Sequence, residues 1–107
     1  MTVRWSQYAK LCLRGIIDDI ATARSFEDGL RWQEKFLEAV RTLEDFPEIG
    51  TEIPETCFLT LPAADNLRQI NCVPYRIVYE IVDDECHILY VQHTRQLINP
   101  HFLRWEE

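Results

Sequence analysis

Lysine is nearly absent from this chain of 107 residues, occurring only at positions 10 and 35. Eighteen acidic side chains against eleven basic ones leave a net charge of −7. Nucleic-acid binders usually carry a basic face or stripe, so broad electrostatic attraction to RNA or DNA is not available here. Long apolar runs are missing too. Segments such as Ile77 to Tyr79 and Ile88 to Val91 fall far short of the ~20 residues that span a bilayer, so no membrane partner is expected. The opening "MTVRWSQYAK" lacks the apolar core of a secretory signal, and a cytoplasmic location is the expectation. The four cysteines, at 12, 57, 72 and 86, form no C-x-x-C motif, and reduced, packed thiols are expected in that compartment. The set Cys72, Cys86, His87 and His93 matches no familiar zinc-ligand spacing, so neither a metal nor a cofactor is expected. Repeats, low-complexity runs and linkers are also lacking.

What is present suits one compact domain over residues 1–107: 47% hydrophobic and 11% aromatic residues are enough for a core. "TVRW" alternates like a short strand. Ser6 is placed to cap a helix of about 16 residues on which Ala9, Leu13, Ile16, Ile17 and Ile20 form an apolar face. Ser25 followed by Asp28 resembles a capping box and starts a second helix, with Leu30, Phe36, Leu37, Val40 and Leu43 on one face. "DFPEIG" stops it. Two consecutive helices with a short break predict an antiparallel hairpin.

Residues 51–65 read as a long loop with a short extended piece at "CFLTL". Three strands follow. "NLRQINCV" is the first. In "PYRIVYEIV", Tyr75, Ile77, Tyr79 and Ile81 share one face while Arg76, Val78, Glu80 and Val82 share the other. "DDE" supplies a turn. "CHILYVQHTR" alternates His87, Leu89, Val91 and His93 against Cys86, Ile88, Tyr90 and Gln92. The tail "QLINPHFLRWEE" is expected to be a short terminal helix or a docked segment. The order predicts an α+β domain: a two-helix antiparallel hairpin packed on one face of a small antiparallel β-sheet, with the other face at least partly open. Trp32 is expected in the core and Trp105 as an anchor of the tail.

Five acids, Glu44, Asp45, Glu48, Glu52 and Glu55, cluster without a base among them. They read as a solvated helix end and loop, or as a docking surface for a basic partner.

The order of elements and several segments resemble the RelE/ParE superfamily of toxins from type II toxin–antitoxin modules. Trp5 and Ala9 match its N-terminal pattern, "LEDFPEIG" its helix-ending segment, and "LRQINCVPYRIVYEIVDDECHILYVQHTRQ" its strands, with Tyr-Arg-Ile-Val-Tyr followed by a strand ending in His-x-Arg. The resemblance covers nearly the whole chain. It implies a growth inhibitor, linked to plasmid stabilisation and held in check by a cognate antitoxin. It also implies one of two activities: cleavage of mRNA on the ribosome, as in RelE-like members, or poisoning of DNA gyrase, as in ParE-like members.

In the RelE-like case the residues on which the family pattern falls would be catalytic: Arg76, His93 and Arg95, with Arg68 as a further cation. RNA scission uses the ribose 2′-hydroxyl as nucleophile, so the protein must supply a proton acceptor, a proton donor and cations for the phosphorane. A histidine exchanges protons near neutrality, and arginines grip phosphate bidentately. The alternatives are plain ones: Arg76 paired with Glu80 on a solvated sheet face, His93 as an ordinary strand-end residue, Arg95 as an exposed cation. RelE-like nucleases tend to carry several lysines around the second helix and sheet, and none follows Lys35 here. That absence and the acidic charge favour the ParE-like branch.

Overall fold

The computed structural model describes residues 1–63 and 66–105. Five strands and two helices follow one another as β1 (Thr2–Trp5), α1 (Gln7–Ala23), α2 (Phe26–Asp45), β2 (Thr51–Glu52), β3 (Leu67–Cys72), β4 (Tyr75–Val82) and β5 (Glu85–His93). Both helix starts follow from their caps: the Ser6 hydroxyl accepts from the Ala9 N–H at 3.0 Å, and Ser25 accepts from Asp28 N–H at 3.1 Å. Gly29 sits where the helices cross, and a Cβ there would come within 3.1 Å of the Ala21 Cβ.

The sheet order is β1-β5-β4-β3-β2. It is mixed rather than antiparallel. The three-stranded meander β3–β4–β5 is antiparallel, but β1 lies parallel to β5, Thr2 opposite Glu85 and Trp5 opposite Ile88. The α1–α2 hairpin carries the chain away from β1 and the meander returns on its flank, which makes the parallel pair possible. Asp83 and Asp84 both have positive φ, 48° and 63°. They form the two-residue turn of the β4–β5 hairpin, and aspartate tolerates this left-handed backbone better than most residues.

The helices cover one face of the sheet. Phe36, Val40, Leu43 and Ala9 pack there on Ile77, Tyr79, Cys86, Ile88 and Val91. Leu30, expected on this face, is 48% exposed, and Trp32 takes its place beside Phe36 and Tyr75. The second face is not open. Leu67, Val78, Leu89 and Ile98 form a second cluster, with Ile53, Cys57, Phe58, Leu103 and Trp105 packed on it. The segment read as a loop at 51–65 supplies part of this cover. It contains β2, a 3-10 turn at Glu55–Cys57, and Phe58 bridged to Ile98; positions 64 and 65 lie outside the described residues. The tail adds a second 3-10 turn at Pro100–Phe102 and ends with Trp105 stacked on His87, ring centroids 3.8 Å apart. Ile98, Leu103 and Trp105 from the tail, with Ile53, Cys57 and Phe58 from the preceding segment, bury the face that two helices cannot reach.

Strict alternation along β5 fails at one point. Val78 pairs with Tyr90 but Tyr79 pairs with Ile88, leaving Leu89 as the extra residue of a bulge. Leu89 therefore joins the tail-side cluster while Val91 joins the helix side. The grouping of Leu89 with Val91 and His93 is corrected by this bulge.

Candidate functional site

β1 is four residues long and covers β5 only as far as Ile88, where the Ser6 N–H donates to the Ile88 carbonyl at 2.9 Å. The chain then turns into α1. The far half of β5, Tyr90 to His93, consequently faces a helix instead of a strand. A cleft of about 590 Å³ lies between them, lined among others by Tyr8, Cys12, Tyr75, Tyr90, His93 and Arg95. Sequence reasoning found His93 and Arg95 in it. It missed Tyr8 and Cys12, whose helical positions carry no polar pattern that marks them. Burial pushes the Cys12 thiol and the Tyr8 hydroxyl upward, desolvation being the main cause for both, so neither is an activated nucleophile.

The four basic candidates do not converge. His93 packs edge-on against Tyr75 at 5.5 Å, on the helix side of the sheet. Its Nδ1 accepts a hydrogen bond from the Arg95 N–H at 3.0 Å. The neutral ring then carries its proton on Nε2. With Nδ1 engaged by Arg95, the ring offers the cleft a donor. Arg95 itself is exposed.

Arg76 lies one residue past Tyr75, so its side chain leaves the opposite face. It is 5% exposed. Nη1 donates to Gln69 Oε1 at 3.3 Å and Nη2 to the Thr94 carbonyl at 2.8 Å, while Nε has no partner. The expected pair with Glu80 on a solvated surface is therefore absent: the surface is covered, and Glu80 stands opposite His87 on the neighbouring strand. Gln92, directly across from Arg76, is 3% exposed and its Oε1 is likewise unpartnered. Arg68 points elsewhere again, donating to the carbonyls of Glu48 (3.3 Å) and Gly50 (2.8 Å). It holds the link between α2 and β2. Cys86 and His87 are divided between the two faces as well, and the four-residue zinc set is split with them.

The family model for the ParE toxin of the type II toxin–antitoxin system, parDE, matches residues 3–98. This chain belongs to the ParE toxin family. Among solved structures, the chromosomal ParDE TA system from P. aeruginosa is similar in fold, with a TM-score of 0.69 over 87% of this chain and 95% of that one. The identity is 19%, which speaks for shared architecture only. No curated protein matches in sequence. As a ParE-family toxin the chain is the toxin component of a type II system, built as an α+β domain with two helices on a mixed sheet. Among the described residues no helix is long and apolar enough to cross a membrane.

Proposed function

We propose that this toxin inhibits growth by binding a protein target, with DNA gyrase the first candidate, and that a cognate antitoxin neutralises it. The observation that carries this reading is the separation of the basic groups. Strand cleavage needs cations and a proton acceptor around one phosphate. Here Arg76 is buried on one face of the sheet, His93 lies on the other with its acceptor nitrogen engaged, and Arg68 is spent on backbone carbonyls. The RelE-like alternative, with Arg76, His93, Arg95 and Arg68 acting on mRNA at the ribosome, lacks a shared site in this arrangement.

Purified toxin should block supercoiling by gyrase, and His93→Ala and Arg95→Ala should leave that block within about twofold of the parent, as exposed polar contacts contribute little. Cleavage of mRNA on translating ribosomes, abolished by His93→Ala, would overturn the proposal.

The α1–β5 cleft is where the antitoxin is placed in this reading. Gly15 lines it, in the middle of a helix, where glycine costs about 1 kcal/mol relative to alanine. Yet an added Cβ would meet nothing within 4 Å. No internal clash explains the glycine, and its bareness leaves room for another chain. Gly15→Leu should preserve toxicity and abolish rescue by co-expressed antitoxin. Rescue that persists undiminished would move the antitoxin to another surface.

A further inference from the structure

The end of α2 presents a second surface, independent of the cleft and of what the toxin's target is. α2 stops at Asp45 and Phe46 closes it, its N–H donating to the Thr42 carbonyl at 2.9 Å. The next four residues fold back, with the Ile49 N–H on the Phe46 carbonyl at 3.1 Å. This knuckle is held from beneath by core groups. The buried Tyr79 hydroxyl donates to the Pro47 carbonyl at 2.7 Å and accepts from the Gly50 N–H at 3.0 Å. Arg68 adds its two bonds to Glu48 and Gly50. Gly50 is obligatory, since a Cβ there would meet the Tyr79 ring at 2.6 Å.

What this framework points outward is apolar. Phe46 is 63% and Ile49 55% exposed, flanking a cleft of about 390 Å³. A surface turn needs neither side chain for its own fold, and large apolar groups held rigidly in water are costly unless something covers them. Along the chain from the knuckle, past the outermost strand β2, a second cleft of about 320 Å³ is lined by Ile53, Phe58 and Leu61, the last 66% exposed. Ile49 and Ile53 are four residues apart, with Gly50 a bend between them, so at most ~13 Å of chain separates them, a reach that one short peptide spans.

The rim decides the sign of the occupant. Glu44, Asp45, Glu48, Glu52 and Glu55 are all exposed, and among the described residues none has a salt bridge. The cations bonded nearby among the described residues engage backbone carbonyls and not these carboxylates: the Met1 ammonium on Glu44 at 2.6 Å, and Arg68 on Glu48 and Gly50. We infer that the knuckle at Phe46 and Ile49 and the adjoining β2 cleft form a docking surface for an extended, cationic, apolar-anchored segment of a partner protein. The apolar clefts supply the anchors, and the carboxylates select lysine- and arginine-bearing chains over acidic ones.

The probe is a short dye-labelled peptide alternating lysine with leucine, added to the full-length toxin and followed by fluorescence anisotropy and by amide chemical shifts. Binding should weaken as salt rises, shifts should centre on residues 44–53, and the double change Phe46→Ser, Ile49→Ser should weaken binding about tenfold or more. That variant should melt as the parent does, because both side chains are already exposed. A lysine–serine peptide that binds equally well would reduce the surface to non-specific charge and overturn the inference. So would equal binding of the glutamate–leucine counterpart, or shifts centred on the α1–β5 cleft.

Discussion

The two faces of the central sheet are closed by different means. On one, the regular α1–α2 hairpin lays Phe36, Val40 and Leu43 over Ile77, Tyr79 and Ile88, and the buried side chains are almost all apolar. On the other, irregular chain does the covering. There the fully apolar cluster of Leu67, Val78, Leu89 and Ile98 sits beside buried Gln69, Arg76, His87 and Gln92. Two of those polar groups keep unpartnered atoms. Helices satisfy their own backbone and present a uniform apolar stripe. A tail and a loop cannot, so the sheet beneath them must offer side-chain donors and acceptors. The Arg76 bond to Thr94 O and the Gln92 bond to Leu97 O, at 2.8 and 3.4 Å, are of this kind. The helix face is the foundation and the tail face a fitted cover.

This contrast can be broken at several points. The largest effect is expected on the helix side: Phe36→Ala removes a ring with no exposure and should cost about 3–5 kcal/mol in urea unfolding. On the tail side, Trp105→Ala loses its stack on His87 and should cost only about 1–2 kcal/mol. Hydrogen exchange should then rise along residues 94–105 while α2 stays protected. Loss of protection in both regions together would show the faces to be one cooperative unit.

Arg76 sharpens the comparison because it is a buried cation with no carboxylate beside it among the described residues. Arg76→Ala strands Gln69 Oε1 and the Thr94 carbonyl and should cost about 2 kcal/mol. Arg76→Met keeps the aliphatic bulk and removes the desolvated charge, so it should melt above the alanine variant, at or near the parent. Equal losses for the two would mean that the guanidinium bonds, and not packing, hold this face.

The smallest effect is a pH dependence at Glu80. Burial raises its carboxyl above the ordinary 4.5, with His87 pulling it back down. The folded state therefore binds the proton more tightly than the unfolded chain. Its favourable contribution is complete below the unfolded value and is lost as pH rises through the folded one, leaving a cost at neutrality. Glu80→Gln should raise the melting temperature slightly at pH 7, and the gain should disappear below about pH 4. A gain that persists in acid would assign it to packing instead.

Local residue patterns and caps determine much of this architecture by themselves. Ser6 and Ser25 start helices because their side chains satisfy nearby N–H groups. The β4 alternation from Tyr75 to Ile81 survives intact because a strand has a period of two and one face buries apolar groups. These are short-range rules, and they account for the hairpin, the three-stranded meander and the family resemblance. They also draw attention to Arg76, His93 and Arg95, yet cannot place them. A single residue of bulge at Leu89 redistributes β5 between the faces. Burial of Arg76 depends on a tail that begins nearly twenty residues downstream. The side of the sheet to which β1 returns depends on how the hairpin packs. The outcome of each is set by contacts distant in sequence, where burial of apolar area competes with the cost of covering polar groups, and no local pattern records which chain segment provides the cover.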